Sequence, residues 1–274
     1  MSNQERKQLH IRVLLGLTLA VSLALFFMPN IPQPKEYHQF SDARTFLYIP
    51  NFLDVISNLF LLAASIFGLK LLFDPREGGE RARFENRSEE VPYVFFFVGA
   101  GLACFGSIYY HWSPNNFSLA WDRIPIAIMA VSFLTIVINE RVSQKAGFFL
   151  LPVLLLLAIF SVSLWYLTEL SGNGDLRLYL MVQFLPMILV LYMLFFMPSR
   201  YSRGNRFAWM LGIYALAKAA EMFDQEIFDA LIWVSGHTIK HILAALAIFA
   251  LAEMLRCRIP VNRVQKAVSE LDDY

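Results

Sequence analysis

The feature that most constrains this 274-residue chain is its succession of long apolar runs, because polar backbone placed in lipid must close its hydrogen bonds within a helix. A spanning helix needs roughly 17 to 25 mostly apolar residues. That window gives eight candidate spans: 11–28, 52–73, 93–111, 123–139, 147–167, 177–197, 207–223 and 237–255. The seventh, FAWMLGIYALAKAAEMF, is the weakest, since it carries Lys218 and Glu221. Composition agrees: 57% of residues are hydrophobic, mean hydropathy is +0.51, and only 16% are charged, against about a quarter in an ordinary soluble domain. Twenty-five phenylalanines and eleven tyrosines suit aromatic-rich spanning helices. No fixed-period repeat or low-complexity segment interrupts the pattern, so one helical domain with short connections is expected.

Arg6, Lys7 and Arg12 precede the first run as they would in a signal peptide, but FFMPNIPQP follows it without a small-x-small cleavage site, which favours a retained helix. Arg and Lys then alternate between loops. They concentrate at the N-terminus, in 74–91 (Arg76, Arg81, Arg83, Arg87), in 140–146 (Arg141, Lys145), in 198–206 (Arg200, Arg203, Arg206) and at the C-terminus (Arg256, Arg258, Arg263, Lys266). The intervening loops hold Lys35 and Arg44, then none in 112–121, then Arg177 at an edge. Eight helices with both termini in the cytoplasm satisfy the positive-inside rule at every loop. The net charge of +1 says nothing about partners. Cys104, mid-run, and Cys257, in a basic stretch, are expected to be packing thiols and not a disulfide.

On that topology polar residues meet at one depth. His111 ends the third span, Asp122 opens the fourth, and His237 and His241 open the eighth, all towards the outer face. Ser107 precedes His111 by one turn. Residues at i and i+4 have Cβ atoms about 5–6 Å apart on one helical face, so His237 and His241 can share one ion. His111 from another helix completes a three-histidine set with an open fourth position, the pattern of catalytic zinc. Of five histidines only His10 and His38 lie outside the spans. Blander roles exist for each residue alone: an interfacial imidazole, a helix cap for Asp122, a bond from Ser107 to its own backbone. Lys240, placed about 100° from each histidine around the helix, is expected to reach the interface or an acidic partner and not the metal.

The pattern S-x₃-H (Ser107, His111), an Asp eleven residues on (Asp122) and H-x₃-H in the last span (His237, His241) resembles the alkaline ceramidases. It also resembles their superfamily of seven-helix membrane hydrolases, which includes the adiponectin and progestin receptors. IPNFLDVISNLFLL, YYHWSPNNFSLAWDRIPI and SGHTIKH look like the bacterial branch of the ceramidases. The resemblance implies an all-α membrane protein with a seven-helix core over 42–255, after a tail, an added helix and an outer loop over 1–41, and before a cytoplasmic tail over 256–274. It implies zinc on His111, His237 and His241, with Ser107 and Asp122 beside it. Animal ceramidases also hold calcium in an acidic stretch before the first core helix. Here FSDARTFLYIPNFLDV has fewer carboxylates and places Asn51 where a glutamate aligns, so calcium is not predicted, although Asp42 and Asp54 are near. Asp54, Ser57 and Asn58 are expected to form a polar cluster near the top of the pocket.

The leading expectation is a zinc-dependent amidase of an N-acyl, ceramide-like lipid, with Asp122 as general acid–base and Ser107 aiding the oxyanion. It would be a multi-pass protein of a bacterial inner membrane, its site near the periplasmic face. Its partners would be the membrane and a lipid substrate, not nucleic acid. The oligomeric state and the choice among N-acyl lipids are left open by the sequence. The alternative is a sensor of the adiponectin/progestin-receptor type with a structural or weakly catalytic zinc, although both tails are too short for a downstream domain. A transporter would spread ionisable residues through the bilayer. Glu221, Asp224, Glu226 and Asp229 are expected to be a solvated acidic loop, with Glu221 or Asp224 able to pair with Lys218 or Lys240.

Overall fold

A computed structural model describes residues 1–73 and 83–262. Arg76, Arg81, Arg263, Lys266 and the tail from residue 263 lie outside the described residues, so that part of the charge pattern has no structural counterpart here.

The described chain is helical. α1, Asn3–Phe27, begins well before the expected span because Ser2 and Glu5 form a capping box around its first turn. α2, Phe52–Ser57, and α3, Leu59–Phe73, share one apolar run that breaks at Asn58, whose side-chain amide donates to the Asp54 carbonyl at 2.7 Å. There follow α4, Glu90–Trp112, α5, Asn116–Arg141, α6, Gln144–Leu170, and α7, Arg177–Phe196. Arg177 grips Asp175 at 2.8 Å just before α7, and this bond holds the Asp175 carboxyl below its ordinary range. α8, Arg206–Met222, α9, Asp224–Leu231, and α10, Gly236–Cys257, complete the fold.

Seven of the described segments are long and apolar enough to cross a membrane, which makes this an all-α membrane protein. The expected span over 207–223 differs from the others. It forms α8, whose 17 residues reach about 26 Å, at the lower limit for a span. Lys218 and Glu221 near its end keep it out of the apolar class, and the short α9 takes over at Asp224.

Side chains such as Phe105, Leu156, Phe160 and Phe195 point outward and are exposed, as lipid-facing positions should be. α1 packs at the periphery against α7, where His10 Nδ1 meets the Tyr192 hydroxyl at 2.8 Å. α4 packs on α3 and α5, α10 on α3 and α8, and α7 on α5, leaving a space between them; α6 covers α5 from outside. The α4–α5 crossing is tight at Gly106, where a Cβ would lie 2.4 Å from the Trp121 carbonyl oxygen. Pro125, four residues on, has no N–H to donate to that carbonyl. Cys104 is buried and Cys257 half-buried, and both are free thiols.

At the end of the bundle away from the histidines, Arg258 joins Glu140 at 3.3 Å and the Tyr93 hydroxyl at 2.7 Å. Ser199 donates to the same carboxylate at 2.6 Å. This buried network ties the ends of α4, α5 and α10 together and leaves the opposite end to the site.

Candidate metal centre

Three helix ends build the site. His111 is the penultimate residue of α4, and its carbonyl accepts from Asn51 Nδ2 at 2.7 Å. Asn51 holds a left-handed conformation (φ 46°) just before α2, one that asparagine tolerates better than most residues. His237 and His241 lie one turn apart at the start of α10. Ser235 caps that helix by accepting from Thr238 N at 3.0 Å. Its hydroxyl, and that of Thr238, in turn reach Asp54 Oδ1 at 3.1 and 2.6 Å. Gly236 lets α10 start hard against α8, since a Cβ there would lie 2.1 Å from the Ala220 carbonyl oxygen. Asp224 accepts from the His237 backbone N–H at 2.6 Å, complementing the positive end of α10.

The three imidazoles converge as the spacing predicts. One ring nitrogen from each of His111, His237 and His241 lies within 4.8 Å of the others, and all three side chains are buried. Among the described residues no other group of three or more His, Cys, Asp or Glu is close enough to share an ion. His111 is fully buried, yet neither ring nitrogen has a hydrogen-bond partner. A buried polar group left unmade costs about 1–3 kcal/mol, so the ring is placed at a cost that a metal ion would remove. The cluster fits a metal.

His241 shows the support that a ligand needs. Ser57 Oγ lies 3.2 Å from the Asp54 carbonyl and 2.8 Å from His241 Nδ1. With a metal on Nε2, Nδ1 would carry the ring proton and donate to Oγ, whose own proton would go to the Asp54 carbonyl, which only accepts. Sequence reasoning put Ser57 in a polar cluster with Asp54 and Asn58 but gave it no such role.

Ser107 and Asp122 both reach the centre. Ser107 Oγ is 3.4 Å from His241 Nε2, and its hydroxyl is also within hydrogen-bonding reach of Asp122. Asp122 does not cap its helix. α5 starts six residues earlier, at Asn116, and is capped by Asn115, whose side chain accepts from Phe117 N and Ser118 N. Asp122 therefore sits almost two turns inside α5, deeper than the expected span placed it.

Lys240 meets an acidic partner, Glu221, as expected, but the expected angle to His237 needs correction. A residue three positions on lies about 60° around a helix, not 100°, so Lys240 and His237 are neighbours. Lys240 Nζ lies 2.8 Å from His237 Nε2 and 3.0 Å from Glu221 Oε1. An ammonium only donates, so His237 Nε2 is the acceptor; it is unprotonated, and a metal bound there would displace Lys240 from it. Glu221 also pairs with Lys218. Glu221 and Asp224 thus belong to the site's surroundings, while Glu226 and Asp229 are exposed. Asp42 pairs with Arg44 at 2.7 Å.

The chain over 28–51 folds across the site. His38 Nε2 meets Asn116 Oδ1 at 2.9 Å, and the Phe40 ring lies 4.5 Å from His111 and 5.5 Å from His237, centre to centre. Nothing in the periodicity of that segment signals Phe40. Beneath the centre a cavity of about 320 Å³ runs among α4, α5, α7, α8 and α10, within the range of small-molecule pockets. Ser107, Asp122 and His241 line it at the centre, and Phe133, Met187 and Leu211 line its apolar part. No family model, curated protein or solved structure matches the chain.

Proposed function

We propose that this chain is a zinc-dependent intramembrane hydrolase that cleaves the amide bond of an N-acyl lipid. The observation that carries the reading is His111, fully buried with both ring nitrogens unpartnered, in a cluster with His237 and His241 beside a largely apolar cavity. Three neutral imidazoles suit zinc or another borderline divalent ion better than a hard cation such as calcium. Bound there, zinc would supply Lewis acidity and a water with a pKa near 7.

The chain's own residues supply the rest. Asp122 takes a proton from the attacking water and delivers it to the leaving nitrogen. The water oxygen bonds to the acyl carbon as the C–N bond breaks, giving a fatty acid and an amine. Ser107, beside His241 and Asp122, donates to the oxyanion that develops on the former carbonyl oxygen. The apolar cavity wall holds the acyl chain, and Phe40 limits water over the histidines. The Arg and Lys distribution favours cytoplasmic termini with the histidines towards the outer face, and the resemblance to bacterial ceramidases favours an inner membrane.

The test is metal analysis of the purified protein followed by turnover of a panel of N-acyl lipids, with and without a chelator. One zinc per chain and chelator-sensitive release of fatty acid are expected. Bound zinc without turnover of any N-acyl lipid would sink the hydrolase and favour a sensor.

A further inference from the structure

Arg123, the residue after Asp122, is only 6% exposed and lines the same cavity. A guanidinium cannot shed its charge to suit such a place, and one buried this far is expected to have a carboxylate partner. Arg123 has none within 4.0 Å among the described residues. Instead three rings hold it, with Trp165 at 4.2 Å, Tyr179 at 4.8 Å and Tyr37 at 5.4 Å from the guanidinium carbon. Nη2 donates to Gln33 Oε1 at 2.6 Å, and Nη1 is buried with no partner. Neutral rings and an amide orient the cation, and the carboxylates around it, Asp122 next in the chain and Glu169 on Gln33 N and Trp165 Nε1, make no ion pair with it. The charged residues that line the cavity are Arg123, Lys218 and Lys240 against Asp122 and Glu221, one cation in excess.

We propose that Arg123 is a binding residue for an anion carried by the ligand, and that the substrate class is an N-acyl amino acid, not a neutral ceramide. The inference rests on the hydrolase reading for the word substrate, but the anion subsite stands on Arg123 alone. The same cavity joins Asp122 and Ser107, where the amide would be cut, to the adjacent Arg123. In an N-acyl amino acid the carboxylate is one carbon from the amide nitrogen, so a cation lining the same cavity as the cutting groups suits it. The aromatic walls on Trp165, Tyr179 and Tyr37 exclude water, which strengthens a guanidinium–carboxylate bond.

Binding to the purified, zinc-loaded full chain is measured with three probes: N-dodecanoylglycine, its neutral N-dodecanoylglycinamide, and dodecanoate. The wild type is expected to bind the glycine conjugate about tenfold or more tighter than the amide, the scale of one hydrogen bond to a charged group. Arg123→Gln should erase that preference, and Arg123→Lys should keep part of it. Equal wild-type affinities for conjugate and amide would overturn the proposal, even if neither variant folds. A preference that survives in Arg123→Gln would overturn it as well. Dodecanoate bound as tightly as the conjugate, with the same Arg123 dependence, would refute the amine-side assignment, because the subsite would then be taking the acyl carboxylate. Arg123-dependent preference for the conjugate without hydrolysis of it would uphold the anion subsite and defeat the hydrolase instead.

Discussion

Replacing Ser57 by Ala removes one oxygen from the centre without touching a ligand. Ser57 Oγ lies 2.8 Å from His241 Nδ1, placed to accept from Nδ1–H when Nε2 takes the metal. Without it, either Nδ1–H is buried with no partner or the proton moves to Nε2, where it blocks coordination. Each route weakens metal binding through His241 alone. Partners of this kind are worth about 10- to 100-fold in metal affinity. That corresponds to about 1.4–2.8 kcal/mol. The lost methylene-sized volume is small, so helicity and elution in detergent should match the wild type. A competitive titration of zinc against a coloured chelator reads the affinity directly. His241→Ala, which removes a ligand outright, sets the lower bound and should fall well below Ser57→Ala. If Ser57→Ala binds zinc within about threefold of the wild type while His241→Ala loses it, the tautomer reasoning is wrong. If both retain full affinity, the ion is not held by this cluster.

Asp122→Asn should keep zinc bound and lower amide hydrolysis by about 10²- to 10⁴-fold, since it removes a proton acceptor and leaves the α5 cap at Asn115 intact; unchanged turnover would remove Asp122 from the chemistry. Lys240→Met should raise zinc affinity, because the ammonium competes for the His237 Nε2 lone pair, and a fall in affinity would show that Lys240 supports the ligand instead. Gly106→Ala forces a methyl onto the Trp121 carbonyl and should destabilise the protein by about 1–3 kcal/mol while displacing Ser107, read as a lower melting temperature together with lower turnover. In a variant lacking Cys104 and Cys257, Ser113→Cys should react with an impermeant maleimide in intact cells and Lys145→Cys should not; the reverse would invert the proposed orientation.

The sequence by itself determined the class of the fold and the three histidines. Apolar runs of spanning length need no tertiary information, because each helix satisfies its own backbone, and the i, i+4 spacing of His237 and His241 is a property of one helix. Bringing His111 to them required only the up-and-down threading that those runs impose. Helix starts were less legible where the cap lay outside the apolar run. The Asn115 cap moved Asp122 from a helix end to the interior of α5, and the short α9 after the span expected over 207–223 stands where a solvated loop is expected. What only the tertiary structure decided was which polar side chains from distant segments meet. Ser57 against His241 is separated by 184 residues, Arg123 against Gln33 by 90, and Phe40 comes over His111 from a loop without periodicity. Such pairings leave no local pattern, since their free energy arises only when packing removes water from both partners at once. Nothing in the sequence singled out Arg123, which only the folded chain surrounds with three rings.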